Sequence, residues 1–243
     1  MATPRILATS GGFIGAERYN ARVPGNLFLE ALRLSGKDRP RVLFVMTATG
    51  DDTNYLSISY QAMRGLSVEV DHLAVYAMPN QPVDEALGKA DVVWVGGGSV
   101  ANLLALWKVH GIDLAMRDAW ERGVILGGVS AGSICWHVGG PTDSYGPTLQ
   151  LQLGGLGLIP YGNGVHYDTE EQRRPLLQSL VASEQLPLSY ATDDHVGILY
   201  EGTDPVAVIT DSPVDPETGP AAYRVEKVAG EVIETRLAPG AIS

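Results

Sequence analysis

Val124-Ile125-Leu126-Gly127-Gly128-Val129-Ser130-Ala131-Gly132-Ser133-Ile134-Cys135-Trp136 is the stretch whose reading decides the fold. Val124 to Leu126 is a short apolar run with β-branched residues, as in a buried strand, and Ser133 to Trp136 can begin a helix. Between them Gly128-Val129-Ser130-Ala131-Gly132 has the G-x-S-x-G spacing of a sharp strand-to-helix turn. A serine there projects its hydroxyl above the C-terminal edge of a sheet, and the small neighbours are what so crowded a turn tolerates. The amide of Ala131, at the helix start, points toward any oxyanion formed beside Ser130. The plainer reading is a glycine-rich β–α turn with a capping serine.

Outward from this turn, apolar runs alternate with helical patterns. Strands are expected at Arg5–Ser10, Val42–Met46, Val68–Leu73 and Asp91–Val95, and helices at Gly25–Ser35, Asp52–Met63 and Ile112–Glu121, the last closed by Gly123. Gly96-Gly97-Gly98 follows a strand, and Ser99 can N-cap the helix that carries Leu103, Leu104, Leu106 and Trp107. Nearly continuous apolar strands separated by helices imply a mainly parallel sheet covered on both faces, a three-layer α/β/α domain. Past Gly139 the texture changes. Gly139 to Gly157 reads as a long ordered loop, and Gly197–Tyr200, Val206–Ile209 and Tyr223–Val228 read as closing strands of the same domain. Pro213 to Pro220 reads as a hairpin loop. One domain over residues 1–243 is expected.

The chain has 17 basic and 28 acidic side chains, a net charge of −11. That charge argues against a nucleic-acid partner or an anionic membrane surface. One cysteine, Cys135, rules out an intramolecular disulfide and a multi-cysteine zinc site. Met1 to Phe13 lacks the apolar core of a signal peptide, and no run reaches membrane-span length. A cytoplasmic protein is expected, and a homodimer is compatible with this composition.

A serine nucleophile needs a base, and the histidines are His72, His110, His137, His166 and His195. His110 ends a helix, His72 ends a strand, and His137 lies too close along the chain to fold back over Ser130. His166 ends a strand-like run beside a helical pattern, where α/β sheets display functional groups. His195 competes with it. Asp193 and Asp194 should point to opposite faces of an extended chain, so only one can hold the imidazole of His166; Asp168 is an alternative. Gly96-Gly97-Gly98 can supply a second oxyanion donor. No two histidines have H-x-x-x-H spacing, so no metal site is expected. Thr169 with Gln172 fits a capping box, and Pro175 belongs near a helix start. Arg173 and Arg174 read either as a solvated face paired to Glu170 or, beside the base, as a carboxylate-binding pocket.

Taken together, Gly96-Gly97-Gly98, Gly128-Val129-Ser130-Ala131-Gly132, Val165-His166-Tyr167 and Glu171-Gln172-Arg173 resemble the aspartyl dipeptidase (peptidase E) family of serine peptidases. That family is related to cyanophycinases and has the flavodoxin-like fold of class I glutamine amidotransferases. The resemblance runs from about Arg5 to Gly202. It implies Ser130 as nucleophile, His166 as base, Asp194 as the third member, and the amides of Gly98 and Ala131 as oxyanion hole. It also implies Arg173 as the residue that meets an acidic substrate side chain, with Ser99, where many members have asparagine, at the substrate's border. The implied activity is hydrolysis of short peptides after an N-terminal residue, aspartate by preference, with no cofactor. Three other readings stay open: a broader-specificity aminopeptidase or cyanophycinase-like peptidase of the same fold, an α/β-hydrolase-type esterase using Ser130, Asp168 and His195 in that order, and a non-catalytic amidotransferase-like ligand-binding domain.

Overall fold

The computed structural model describes residues 3–17 and 21–242. Residues 1, 2, 18–20 and 243 lie outside it, and with them the extreme ends of the expected 1–243 domain.

In chain order the first elements are β1 (Arg5–Thr9), β2 (Phe13–Gly15), β3 (Arg22–Pro24), α1 (Asn26–Leu34), β4 (Arg41–Val45) and α2 (Thr53–Ala62). Then come β5 (Glu69–Leu73), α3 (Val83–Lys89), β6 (Val92–Val95), α4 (Val100–His110), α5 (Ile112–Glu121), β7 (Ile125–Val129) and α6 (Ala131–Ile134). The last third holds β8 (Gly139–Thr142), β9 (Gln150–Leu153), β10 (Gly162–Gly164), α7 (Arg173–Ala182), β11 (Ser189–Thr192), β12 (Val196–Glu201) and β13 (Asp204–Thr210). It closes with β14 (Ala222–Val228), β15 (Glu231–Leu237) and β16 (Gly240–Ala241).

The central sheet has the order β16-β13-β12-β1-β7-β6-β4-β5. The five strands from β1 to β5 run parallel, and β12 and β13 extend the sheet antiparallel. Successive side chains of a strand point to opposite faces, and the core divides accordingly. Ile6, Ala8, Leu43, Val45, Val93 and Val95 pack under α3, α4 and α5 with Leu87, Leu103, Trp107 and Met116. Leu7, Val42, Phe44, Val92 and Trp94 pack under α1 and α2 with Leu27, Phe28, Ala31 and Leu56. Each large side chain so buried is worth ~1.5–3 kcal/mol, which is why both faces of these strands are apolar. The three-layer α/β expectation holds.

The last third departs from expectation. Gly139 to Gly157 is not a loop: it supplies β8 and β9 to a second sheet, ordered β15-β14-β11-β10-β8-β9. Glycines in such a run fit a strand crowded by its neighbour, since a Cβ on Gly140 would lie 2.0 Å from the Asn163 carbonyl oxygen. Residues 213–220 do not close a hairpin either, because β13 belongs to the central sheet and β14 to the second. The β2–β3 hairpin was not legible from apolar spacing at all. Helix α7 packs on the second sheet through Leu177, Leu180 and Val181. The capping box is also absent. The helix starts at Arg173, which leaves Pro175 in its first turn where the missing N–H costs nothing.

Candidate active site

Strand β7 delivers Ser130 to the C-terminal edge of the central sheet, and the chain turns directly into α6. The turn is strained: Ser130 has φ 58° and ψ −113°, a conformation that L-residues rarely adopt. Tight packing holds it there. A Cβ on Gly132 would stand 2.3 Å from the Val95 carbonyl oxygen, and one on Gly128 would stand 2.5 Å from the Gly132 carbonyl oxygen. The Ser130 amide donates to the Thr9 carbonyl at 3.0 Å, while its own carbonyl accepts from Ser133 and Ile134.

Beside it, β6 runs into Gly96-Gly97-Gly98. Ser130 Oγ lies 3.9 Å from the Cβ position of Gly97. Gly98, at φ 128°, is held against the Ala48 carbonyl, a position that excludes any side chain. Among the described residues no backbone acceptor engages the amide of Gly98 or of Ala131. Ser99 N-caps α4, its Oγ accepting from the Asn102 amide at 3.3 Å.

The second sheet supplies the histidine. β10 and β11 are parallel with Gly164 opposite Ala191, so the residues that follow each strand emerge side by side. His166 Nδ1 hydrogen-bonds Asp194 Oδ1. Thr169 Oγ1 donates to Asp194 Oδ2 at 3.0 Å, and the Asp194 amide donates to Asp168 at 2.8 Å. Asp168 thus fixes the backbone of Asp194 and does not touch either imidazole. Asp193 points the other way, as alternation required. Its Oδ2 accepts from the Ala221 amide and the Tyr223 hydroxyl, and burial raises its carboxyl above the usual carboxylate range. Ser10, which sequence reasoning missed, ties the two sheets: its hydroxyl accepts from the His166 amide at 3.0 Å and meets Thr192 Oγ1 at 2.6 Å. Ser130 Oγ and the His166 ring share no hydrogen bond.

The other histidines separate cleanly. His195 pairs with Asp211 at 3.1 Å rather than with Asp168, so the esterase constellation of Ser130, Asp168 and His195 is not assembled. Asp211 carried no sequence signal; it is buried and also accepts from the amides of Gly12 and Leu27, bracing the hairpin against α1. His137 is fully buried behind α6, and burial pushes its pKa down to about 4, so it is neutral. His72 meets Tyr60 at the sheet edge.

The two arginines part company. Arg173 is buried, donating to the Pro141 carbonyl and to Glu170, with its Nε unpartnered. Arg174 stacks between Tyr167 and Tyr223 at 4.7 and 4.6 Å and faces Glu234. A cleft of about 390 Å³ opens beside the ends of β6 and β7, and both His166 and His195 line it. Among the described residues no three His, Cys, Asp or Glu side chains group as metal ligands, and no helix is long and apolar enough to cross a membrane.

A family model for peptidase family S51 matches residues 6–208. The chain belongs to peptidase family S51. It is a peptidase, of the peptidase E type. It is 35% identical over 235 residues to the peptidase YgaJ of Bacillus subtilis, covering 96% of each chain. A peptidase E of Shewanella denitrificans is 29% identical over 114 residues, 46% of this chain and 47% of that one. Among solved structures, a peptidase from an acI-B1 actinobacterium superposes with a TM-score of 0.71 at 17% identity, over 99% of this chain and 97% of that one. A putative peptidase E protein from Listeria monocytogenes gives 0.62 at 22%, over 88% and 100%. These two solved structures share the α/β fold described above.

Proposed function

We propose that this S51 peptidase is a serine dipeptidase or aminopeptidase that releases an N-terminal residue, aspartate by preference, from short peptides. Ser130 attacks the carbonyl while His166 takes its proton, and Asp194 holds the imidazole in the tautomer that makes this transfer favourable. The amides of Gly98 and Ala131 receive the oxyanion of the tetrahedral intermediate. His166 then returns the proton to the leaving amine, and water releases the acyl group from Ser130. The chemistry calls for no metal or organic cofactor.

The observation that carries this reading is the strained backbone of Ser130. Strain of that kind persists only where the surroundings over-determine it, and it serves to present a hydroxyl beside free amides. The His166–Asp194 pair across the same edge adds the proton relay.

Preference for aspartate is assigned to Arg173. Its guanidinium is nearly buried, while the Glu170 carboxylate it holds is 37% exposed. An incoming substrate carboxylate would replace Glu170 on that fork. Ser99, at the α4 N-terminus beside Gly98, is assigned to the border of the substrate, and Arg174, stacked on Tyr167 and Tyr223, to support of α7. We place the enzyme in the cytoplasm, as a monomer or homodimer, with short peptides and neither nucleic acid nor membrane as partners.

The test is Ser130→Ala assayed with X-Leu dipeptides in the presence of EDTA, together with labelling by a fluorophosphonate. Activity should fall by several orders of magnitude and labelling should vanish. Retention of more than roughly a tenth of wild-type turnover would exclude Ser130 as the nucleophile.

A further inference from the structure

His166 lines the cleft of about 390 Å³, and in acyl transfer the base must hand its proton to the leaving amine. With His166 as that base, the cleft it lines, next to Val129, is the candidate seat for the residue carrying the amine. Arg173 does not line it and sits against β8 instead. The walls are of two kinds. Phe13, Met46 and Trp94 give an apolar side, while Arg22, on strand β3 of the hairpin, stands exposed at the mouth.

Arg22 forms no ion pair with any described residue. Of the carboxylates that share a lining with Arg22, Asp194 is engaged by His166 and Thr169, and Asp211 by His195 and the amides of Gly12 and Leu27. Glu17, exposed and lining a second cleft with Arg22, forms no ion pair with it. In a chain of net charge −11, a cation without a partner at the rim of the reactive cleft is where an anionic ligand group gains most. Its planar fork suits a carboxylate. The hairpin's position is itself fixed, because Asp211 holds the amide of Gly12 at its base.

We infer that this cleft receives the leaving residue of the substrate: an apolar side chain against Phe13, Met46 and Trp94, with its free C-terminal carboxylate on Arg22. The inference rests on the proposed serine mechanism. It makes the enzyme a dipeptidase by construction, since a longer peptide would present an uncharged amide to Arg22.

The experiment compares Asp-Leu with Asp-Leu-amide on wild type, Arg22→Met and Arg22→Lys. The wild type should prefer the free acid by roughly tenfold or more in kcat/KM, the scale of one charge-assisted pair. In Arg22→Met that preference should collapse toward unity through a higher KM for the acid, and Arg22→Lys should restore part of it. Equal turnover of acid and amide by wild type, or an unchanged ratio in Arg22→Met, would overturn the inference while leaving Ser130 as nucleophile. Calorimetric binding of both ligands to Ser130→Ala separates the two questions, because it reads Arg22 without any chemistry. If neither dipeptide is cleaved and no serine probe labels the wild type, the proposed function falls and this inference falls with it.

Discussion

Replacing His137 should remove about 2 kcal/mol of the protein's loss of stability between pH 7.5 and pH 5.0. The imidazole is fully buried behind the short helix that follows Ser130, with Nδ1 donating to the Ser133 carbonyl at 2.9 Å and Nε2 facing the Tyr200 hydroxyl at 3.4 Å. Burial penalises the charged form, so the folded-state pKa falls to about 4 from an ordinary 6.5. Below pH 6.5 the unfolded chain takes up a proton that the folded chain refuses, so stability is lost as pH falls. The loss is complete only below about pH 4, where both states hold the proton. At ~1.36 kcal/mol per pH unit of separation, the full effect is about 3 kcal/mol. Urea unfolding of wild type and His137→Gln at pH 7.5 and 5.0 measures it. The variant is destabilised at pH 7.5 by its lost packing, but its further loss on going to pH 5.0 should be smaller than the wild type's by about 2 kcal/mol. An equal pH-dependent loss in the two proteins would refute the assignment to His137.

Two further outcomes are expected. Asp194→Asn should lower kcat/KM on the order of a thousandfold, and His166→Ala more, while His195→Ala should cost far less because its carboxylate partner is Asp211; a larger effect at His195 would move the base there. Arg173→Ala, assayed with Asp-Leu and Ala-Leu in parallel, should cost about 2–5 kcal/mol of transition-state stabilisation for the acidic substrate and much less for the neutral one. A similar fall for both would assign Arg173 to structural support through Glu170 and Pro141.

The parts of this protein that could be read from the sequence are those decided within a dozen residues. A strand, a turn and a helix start around Ser130 follow from local apolar runs and from glycines at positions 128 and 132 that no side chain could replace. The parallel core was legible for the same reason, since strands buried on both faces must be apolar throughout. Alternation also foretold that Asp193 and Asp194 would part.

Which of the two would meet His166 came from the family resemblance and not from spacing, because the stretch that separates His166 from Asp194, 28 positions on, carries no mark of the register that joins β10 to β11. The second sheet was missed on similar grounds. Its strands β8 and β10 are built largely of glycine, proline and asparagine, residues that read as loop unless a neighbouring strand is known to press against them. Asp211 and Arg22 had no sequence signature at all. A carboxylate that braces a hairpin and an arginine left without an ion pair among the described residues are defined by what surrounds them, and those surroundings come from segments far apart in the chain. Side-chain type and short-range spacing set the chemistry that was available; only tertiary packing, through strand register and the closing of one sheet edge on another, decided which groups were brought together.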